Sequence, residues 1–266
     1  MKVLVCSAGW VDNMNAIAKQ FDAKVIRLED LSILKTINNY DLVITLGWDH
    51  TKYLYKIWKH IKKPIVFMVD GAFHRQHRYD NKLFPWLVSY YDPGSIGRYQ
   101  YEDLSSNRWD ALGVELKPWR KDGKYVLIAH QRANDYEGNS RQSIFQKIMS
   151  DCVGENIVIR GHPGRDSDIN FNAKGAKVSK KPLLTDLKEA KCLVTHNSKA
   201  AVEAVVDGVP VLAYHKSLVE MVKSPSIKNL KYPDRTKWCN WIAYQHWTMD
   251  EIVSGEWFNY AHKIIL

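Results

Sequence analysis

Residues 192–214 read CLVTHNSKAAVEAVVDGVPVLAY, where two apolar runs flank a segment of helical spacing. Cys192–Thr195 is an apolar run of strand length, Lys199–Asp207 has helical spacing, and Pro210–Tyr214 is apolar again. A strand, a helix and a second strand joined by short connections make a βαβ unit, which belongs to a parallel sheet. The same alternation extends towards the N-terminus: a strand over Lys124–Ala129, a helix over Ser140–Ser150, a strand over Asn156–Arg160 and a short helix over Leu183–Ala190.

Beyond a less regular stretch, 74–123, the alternation appears once more. Strands are predicted over Lys2–Cys6, Lys24–Leu28, Asp41–Gly47 and Pro64–Val69, with helices over Asn13–Phe21 and the Lys-studded Thr51–Ile61. Two α/β halves meeting near residue 120 account for this order. Towards the C-terminus, Thr248-Met-Asp-Glu251 has the spacing of a capping box. A helix is predicted from Met249 towards His262, running through Gly255 and packing back on the first half.

The chain has 266 residues, 45% hydrophobic and 25% charged, enough for a real core without metal or disulfide support. Cys6, Cys152, Cys192 and Cys239 are scattered, which predicts free thiols and a reducing compartment. With no signal-peptide pattern and no apolar run of membrane-spanning length, the expected location is the cytoplasm, bacterial or that of a host if the chain is phage-encoded. A net charge of +9 favours anionic partners: nucleic acid, anionic membrane or phosphorylated substrates.

In open α/β sheets ligands bind beyond the carboxyl ends of strands, so three loops are informative. The first is Asp70-Gly-Ala-Phe-His74-Arg75, where a carboxylate at a strand end suits either a general base or the cap of a turn. The second is Arg160-Gly161-His162-Pro163-Gly164-Arg165, whose glycines permit close backbone approach and whose basic residues suit a phosphate. A basic surface turn is the plainer reading. The third is Thr195-His196-Asn197-Ser198, leading into a helix with small residues at Ala200, Ala201 and Ala204. Hydroxyls and free amides there favour an anion, and Glu203 is placed to reach a ribose diol. Capping by Asn197 or Ser198 is compatible with either use.

In this order, an Asp-Gly turn, a His-Pro turn and a serine motif before Gly208-Val209-Pro210 resemble the capsular polysaccharide Kdo transferase family and, more distantly, bacterial sialyltransferases. The resemblance implies an α/β fold of GT-B type: two Rossmann-like parallel-sheet domains and a C-terminal helix crossing back to the first. It assigns 1–120 to the acceptor, 121–247 to the nucleotide sugar and 248–266 to the crossover helix. It places the catalytic acid–base on Asp70, with Phe73 and Arg75 matching the family's continuation. Donor and phosphate contacts fall on His162, Pro163, Asn197, Ser198 and Glu203. The segment Gln245-His-Trp-Thr-Met-Asp-Glu251 resembles a further family motif, which adds Gln245 and Glu251. Val69 stands where the family has its first acid, and Asn197 where a second hydroxyl is frequent.

The expected activity is a metal-independent glycosyltransferase using a CMP- or UDP-linked sugar as co-substrate, without a resident cofactor. Departing phosphate is expected on His162, Gly161, Arg165, Thr195 and the Asn197–Ser198 amides, each well-placed donor worth roughly 3–4 kcal/mol. His74, Arg75 and Arg78 form a basic acceptor loop. His74, His77 and Asp80 read as part of that loop rather than as a metal site. The acceptor is either a polysaccharide or a hydroxylated base in phage DNA; the charge and Lys52, Lys56, Lys59, Lys62 and Lys63 favour a polyanion. A nucleotide-sugar epimerase and a non-catalytic nucleotide- or nucleic-acid-binding module are the alternatives.

Overall fold

The computed structural model describes residues 1–7, 11–27, 39–46, 65–75, 80, 82–83, 85–92, 95–96, 104–131, 141–162 and 175–265. The helix expected over Thr51–Ile61, with its lysines, lies outside the described residues, as do Arg78, Pro163 and Arg165. In chain order the strands are β1 (Val3–Ser7), β2 (Lys24–Arg27), β3 (Leu42–Leu46), β4 (Ile65–Asp70), β5 (Pro85–Asp92), β6 (Ser95–Ile96), β7 (Tyr125–Ala129), β8 (Ile157–Arg160), β9 (Lys177–Ser179), β10 (Ala190–Thr195), β11 (Val211–Ala213) and β12 (His246–Thr248).

The chain forms two compact units, Met1–Trp109 with Asn240–Leu266, and Asp110–Cys239. These divisions differ from 120 and 247, because the chain leaves the first unit within the helix Asn107–Leu112 and returns within the helix Thr236–Ala243. Residues 246–248 then form β12, which pairs with β5 in the first sheet.

In the first unit the sheet order is β12-β5-β4-β3-β1-β2, with β6 on β5. The pairs β1–β2, β1–β3 and β3–β4 are parallel. Ile65–Val69 is a continuous apolar run and is buried throughout, as a strand covered on both faces should be. One edge departs from the parallel expectation: β5 runs antiparallel to β4, and β12 antiparallel to β5.

The C-terminal helix is a correction to the sequence reading. It is broken at Gly255 into Met249–Ser254 and Glu256–Ile265. Gly255 adopts φ 85°, a left-handed conformation that glycine takes without steric cost, and its N–H closes the first helix on the carbonyls of Glu251 and Ile252. Both helices belong to the first unit. Gln20 donates its side-chain amide to the carbonyls of Ile252 at 2.9 Å and Val253 at 2.6 Å. Phe21 meets Phe258 edge-on at 4.8 Å, and Trp257 is fully buried among Val3, Val5, Met14 and Ile17. The short C-terminal elements therefore supply core to the N-terminal sheet.

The second unit has a five-stranded sheet of order β11-β10-β7-β8-β9, parallel throughout. Its first strand in chain order is central, with β8 and β9 on one side and β10 and β11 on the other. This is the doubly wound Rossmann order, and the reversal of direction falls between β7 and β10. The core gathers Val126, Ile128, Ile159, Cys192, Val194 and Leu212. All four cysteines are free and buried. Among the described residues no helix is long and apolar enough to cross a membrane.

Candidate functional site

The first group of residues follows β4. Asp70 is the last residue of that strand, half-buried and in register with Trp86 of β5. The turn after it needs glycine: a Cβ on Gly71 would stand 2.0 Å from the Pro85 carbonyl oxygen and 2.9 Å from the His246 ring. Ala72 and Phe73 are buried, and Phe73 packs against Trp109 at 5.9 Å and His246 at 4.6 Å. His74, half-buried, takes a left-handed backbone conformation at φ 51°, and Arg75 is exposed. The sequence therefore places one carboxylate and two basic side chains on a single tight turn.

His246 holds that turn. Its Nε2 accepts the Ala72 N–H at 3.1 Å, so Nδ1 must carry the ring proton, which it donates to the Ile242 carbonyl at 2.8 Å. Neutral imidazole alone makes both bonds. This residue lies inside the 245–251 motif, but no sequence signal tied it to a loop 174 positions earlier.

Gln245 and Glu251 lie in the same unit. The Gln245 carbonyl accepts the Val88 N–H at 2.8 Å, while its buried side-chain oxygen has no hydrogen-bond partner among the described residues. Glu251 completes the capping box, accepting Thr248 N–H at 2.7 Å, and receives Arg108 at 2.9 Å. Burial raises the Glu251 pKa, but the Arg108 hydrogen bond and charge, with the Thr248 donors, outweigh it and hold the carboxyl below its usual range. Arg108 itself lies 3.6 Å above the Trp247 ring and donates to the His246 carbonyl at 2.7 Å. Glu251 thus has a structural task in full.

The second group lies at the carboxyl edge of the second sheet. Thr195 ends β10; its hydroxyl donates to the Ala129 carbonyl of β7 at 2.9 Å. Gln131, two residues past β7, accepts the Asn197 N–H on Oε1 at 2.7 Å and donates Nε2 to Asn197 Oδ1 at 2.6 Å. The loops after β7 and β10 are therefore tied together where the sheet order reverses. Ser198 Oγ accepts the Ala200 N–H at 3.2 Å, a local capping bond, and Glu203 is half-buried in the seven-residue helix Ala200–Val206.

After β8, Gly161 and His162 are half-buried, and a Cβ on Gly161 would meet nothing within 4 Å among the described residues. Arg160 is already paired within the unit. Its guanidinium pairs with buried Asp186 at 3.2 Å and donates to the Lys181 carbonyl, while Ser179 completes the carboxylate's partners at 2.7 Å. The pair stiffens the strand end that carries Gly161 and His162.

Histidines also follow three other strand ends of this sheet: His130 after β7, His196 after β10 and His215 after β11. The His196 and His215 rings lie 4.9 Å apart. Burial, and then the neighbouring His215, bring the His196 imidazole down to about 4. The sequence reading gave no role to His130, Gln131 or His215. The signal was present: each follows an apolar strand within two residues, where a doubly wound sheet gathers its ligand contacts.

No family model matches the chain, and no curated protein matches it. Solved structures do. The chain is similar to the Thermosulfurimonas dismutans KpsC beta Kdo 2,7 transferase, at 11% identity over 98% of this chain and 100% of that chain, with a TM-score of 0.55. It is also similar to the beta Kdo 2,4 transferase of the same protein, at 14% identity over 92% of this chain and 90% of that chain, with a TM-score of 0.50. At such identities the likeness shows the fold alone. That fold is the expected one, α/β with two Rossmann-like units of GT-B type.

Proposed function

We propose that the chain is a metal-independent glycosyltransferase that moves a sugar from a CMP- or UDP-linked donor to an acceptor hydroxyl. One observation carries this reading: the Gln131–Asn197 tie at the strand-order reversal of the second sheet, with His162 two residues past the neighbouring strand β8 and Ser198 beside Asn197. A doubly wound sheet binds nucleotides at such a reversal. The likeness to two Kdo transferases supports it.

In this reading the second unit takes the donor and the first takes the acceptor. Asp70 removes the acceptor's hydroxyl proton as that oxygen bonds the anomeric carbon. The bond from that carbon to the donor phosphate breaks, and the phosphate oxygen keeps the electron pair. His162, Asn197 and Ser198 stabilise the charge developing there, while His74 and Arg75 bind the acceptor. We take the acceptor to be a saccharide hydroxyl.

Calorimetry with CMP, UDP and GDP tests the donor assignment. One nucleotide should bind wild type and lose its affinity in His162→Ala. At 100 times its dissociation constant it should stabilise the fold by about 2.7 kcal/mol. If none of the three binds, the donor site is wrong. Duplex DNA binding that falls steeply with salt would move the acceptor to nucleic acid.

A further inference from the structure

We infer that Gln131 is a positioning residue that sets the side-chain amide of Asn197 so that its NH2 group faces the donor phosphate. The inference rests on the donor site proposed above and assigns direction within it.

The orientation of both amides follows from a single unambiguous donor. Amide oxygen and nitrogen are told apart only through their hydrogen-bond partners. The Asn197 main-chain nitrogen can only donate, so the Gln131 atom 2.7 Å from it is the oxygen. The other end of the Gln131 amide is then the nitrogen, a donor, and the Asn197 atom 2.6 Å from it must be the acceptor, Oδ1. The Asn197 Nδ2 group diverges from that bond by the angle of a planar amide. Among the described residues the hydrogen bonds of Asn197 are the two with Gln131, which leave Nδ2 unused, and the side chain is half-buried rather than enclosed.

Two consequences follow for the site. The Asn197 main-chain N–H is held by Gln131 and is not the phosphate donor, which corrects the expectation that both the Asn197 and Ser198 amides serve. The donor at residue 197 is the side-chain NH2, which offers two hydrogens where a serine hydroxyl would offer one. Gln131 is buried to 6% exposure and reaches from β7 to the loop after β10, so it fixes direction without touching the ligand.

The test is a double-mutant cycle on nucleotide affinity. Calorimetry uses whichever of CMP and UDP binds wild type, on wild type, Gln131→Met, Asn197→Ala and the double variant. Gln131→Met should weaken binding about tenfold, the size of one oriented hydrogen bond. In the Asn197→Ala background the same change should alter binding less than about twofold, since no amide remains to orient. Equal losses in both backgrounds would overturn the inference. Wild type binding neither nucleotide would remove the donor site and the inference together; wild-type binding with Gln131→Met unchanged would remove the inference alone.

Gln131→Glu gives a reading without ligand and covers a Met variant that fails to fold. A carboxylate still accepts the Asn197 N–H, but it cannot donate to Oδ1, so the Asn197 amide must turn its NH2 inward. The Asn197 side-chain NH2 resonances, identified by their loss in Asn197→Ala, should then move downfield in the free protein. Unchanged resonances would refute the orientation proposed.

Discussion

The turn after β4 and the loops after β7 and β10 both leave buried strands of α/β sheets, yet different forces hold them. Packing around the single Ala72–His246 hydrogen bond closes the first. Gly71 leaves no space for a Cβ against Pro85, and Phe73 and His246 lie 4.6 Å apart. Polar pairing closes the second, through Gln131 with Asn197 and Thr195 with Ala129. Packing excludes every added atom and so fixes where a group stands. Paired amides fix which way a group faces while leaving one edge open. The first suits a carboxylate that must meet one proton; the second suits donors that must converge on a charge.

The largest expected effect tests whether the packed turn is chemical or only structural. Asp70→Asn keeps the shape and removes the base. Turnover should fall by about 10²- to 10⁴-fold, the usual range for a general base, while nucleotide affinity changes less than about twofold. A single-turnover assay beside calorimetry reads both. Retained turnover would leave Asp70 as the cap of a tight turn.

Acid tests the second region next. Unfolded His196 titrates near 6.5, and folded it is held to about 4 by burial and then by His215. Between those values the unfolded chain takes a proton that the folded chain refuses. Stability is therefore complete above about pH 6.5 and is lost as pH falls towards 4, by roughly 3 kcal/mol at most. Glu251 has the opposite anchor: Arg108 and Thr248 overcome burial and lower its pKa, so its contribution is lost only below the usual carboxylate range. Between pH 6.5 and 5, hydrogen exchange should loosen the second unit's strand ends. His196→Gln should flatten that dependence. A wild-type profile identical to the variant's would remove His196 as the cause.

Gly71→Ala probes the packed turn directly. The new Cβ would sit 2.0 Å from the Pro85 carbonyl oxygen, so β4 and β5 must part. Overpacking of this kind costs about 1–3 kcal/mol. Lost exchange protection should be confined to the first unit. An unchanged urea midpoint would show that the turn relaxes freely and that packing is not what holds it.

The sequence carried what is local and missed what is distant. The run Ile65–Val69 announces a covered parallel strand, and Thr248 with Glu251 announces a cap, because each signal lies within a few residues. Strand β5 begins at Pro85 inside a stretch full of turn signals, and β12 is three residues long; neither has a periodicity to read. The spacing predicts one helix running through Gly255, whereas its left-handed conformation ends one helix and begins another. At the sites, Asp70 and His162 were legible as strand-end residues. The partners that orient the sites were not: Gln131 acts across 66 positions and His246 across 174.

The smallest expected effect contrasts two helix starts. Thr248 has a complete capping box, its hydroxyl accepting the Glu251 N–H and Glu251 accepting its N–H. Removing a cap hydroxyl typically costs about 1 kcal/mol, so Thr248→Ala should lower stability by that amount and leave nucleotide affinity alone. Ser198 makes a single bond to the Ala200 N–H, ahead of a helix whose N-cap residue, Lys199, offers no side-chain bond. Ser198→Ala should therefore cost about half as much stability or less, yet weaken nucleotide binding measurably. Thermal midpoints and calorimetry on the two variants should give opposite orders. If Ser198→Ala costs stability without affinity, the serine caps the helix and the donor phosphate rests on Asn197 and His162 without it.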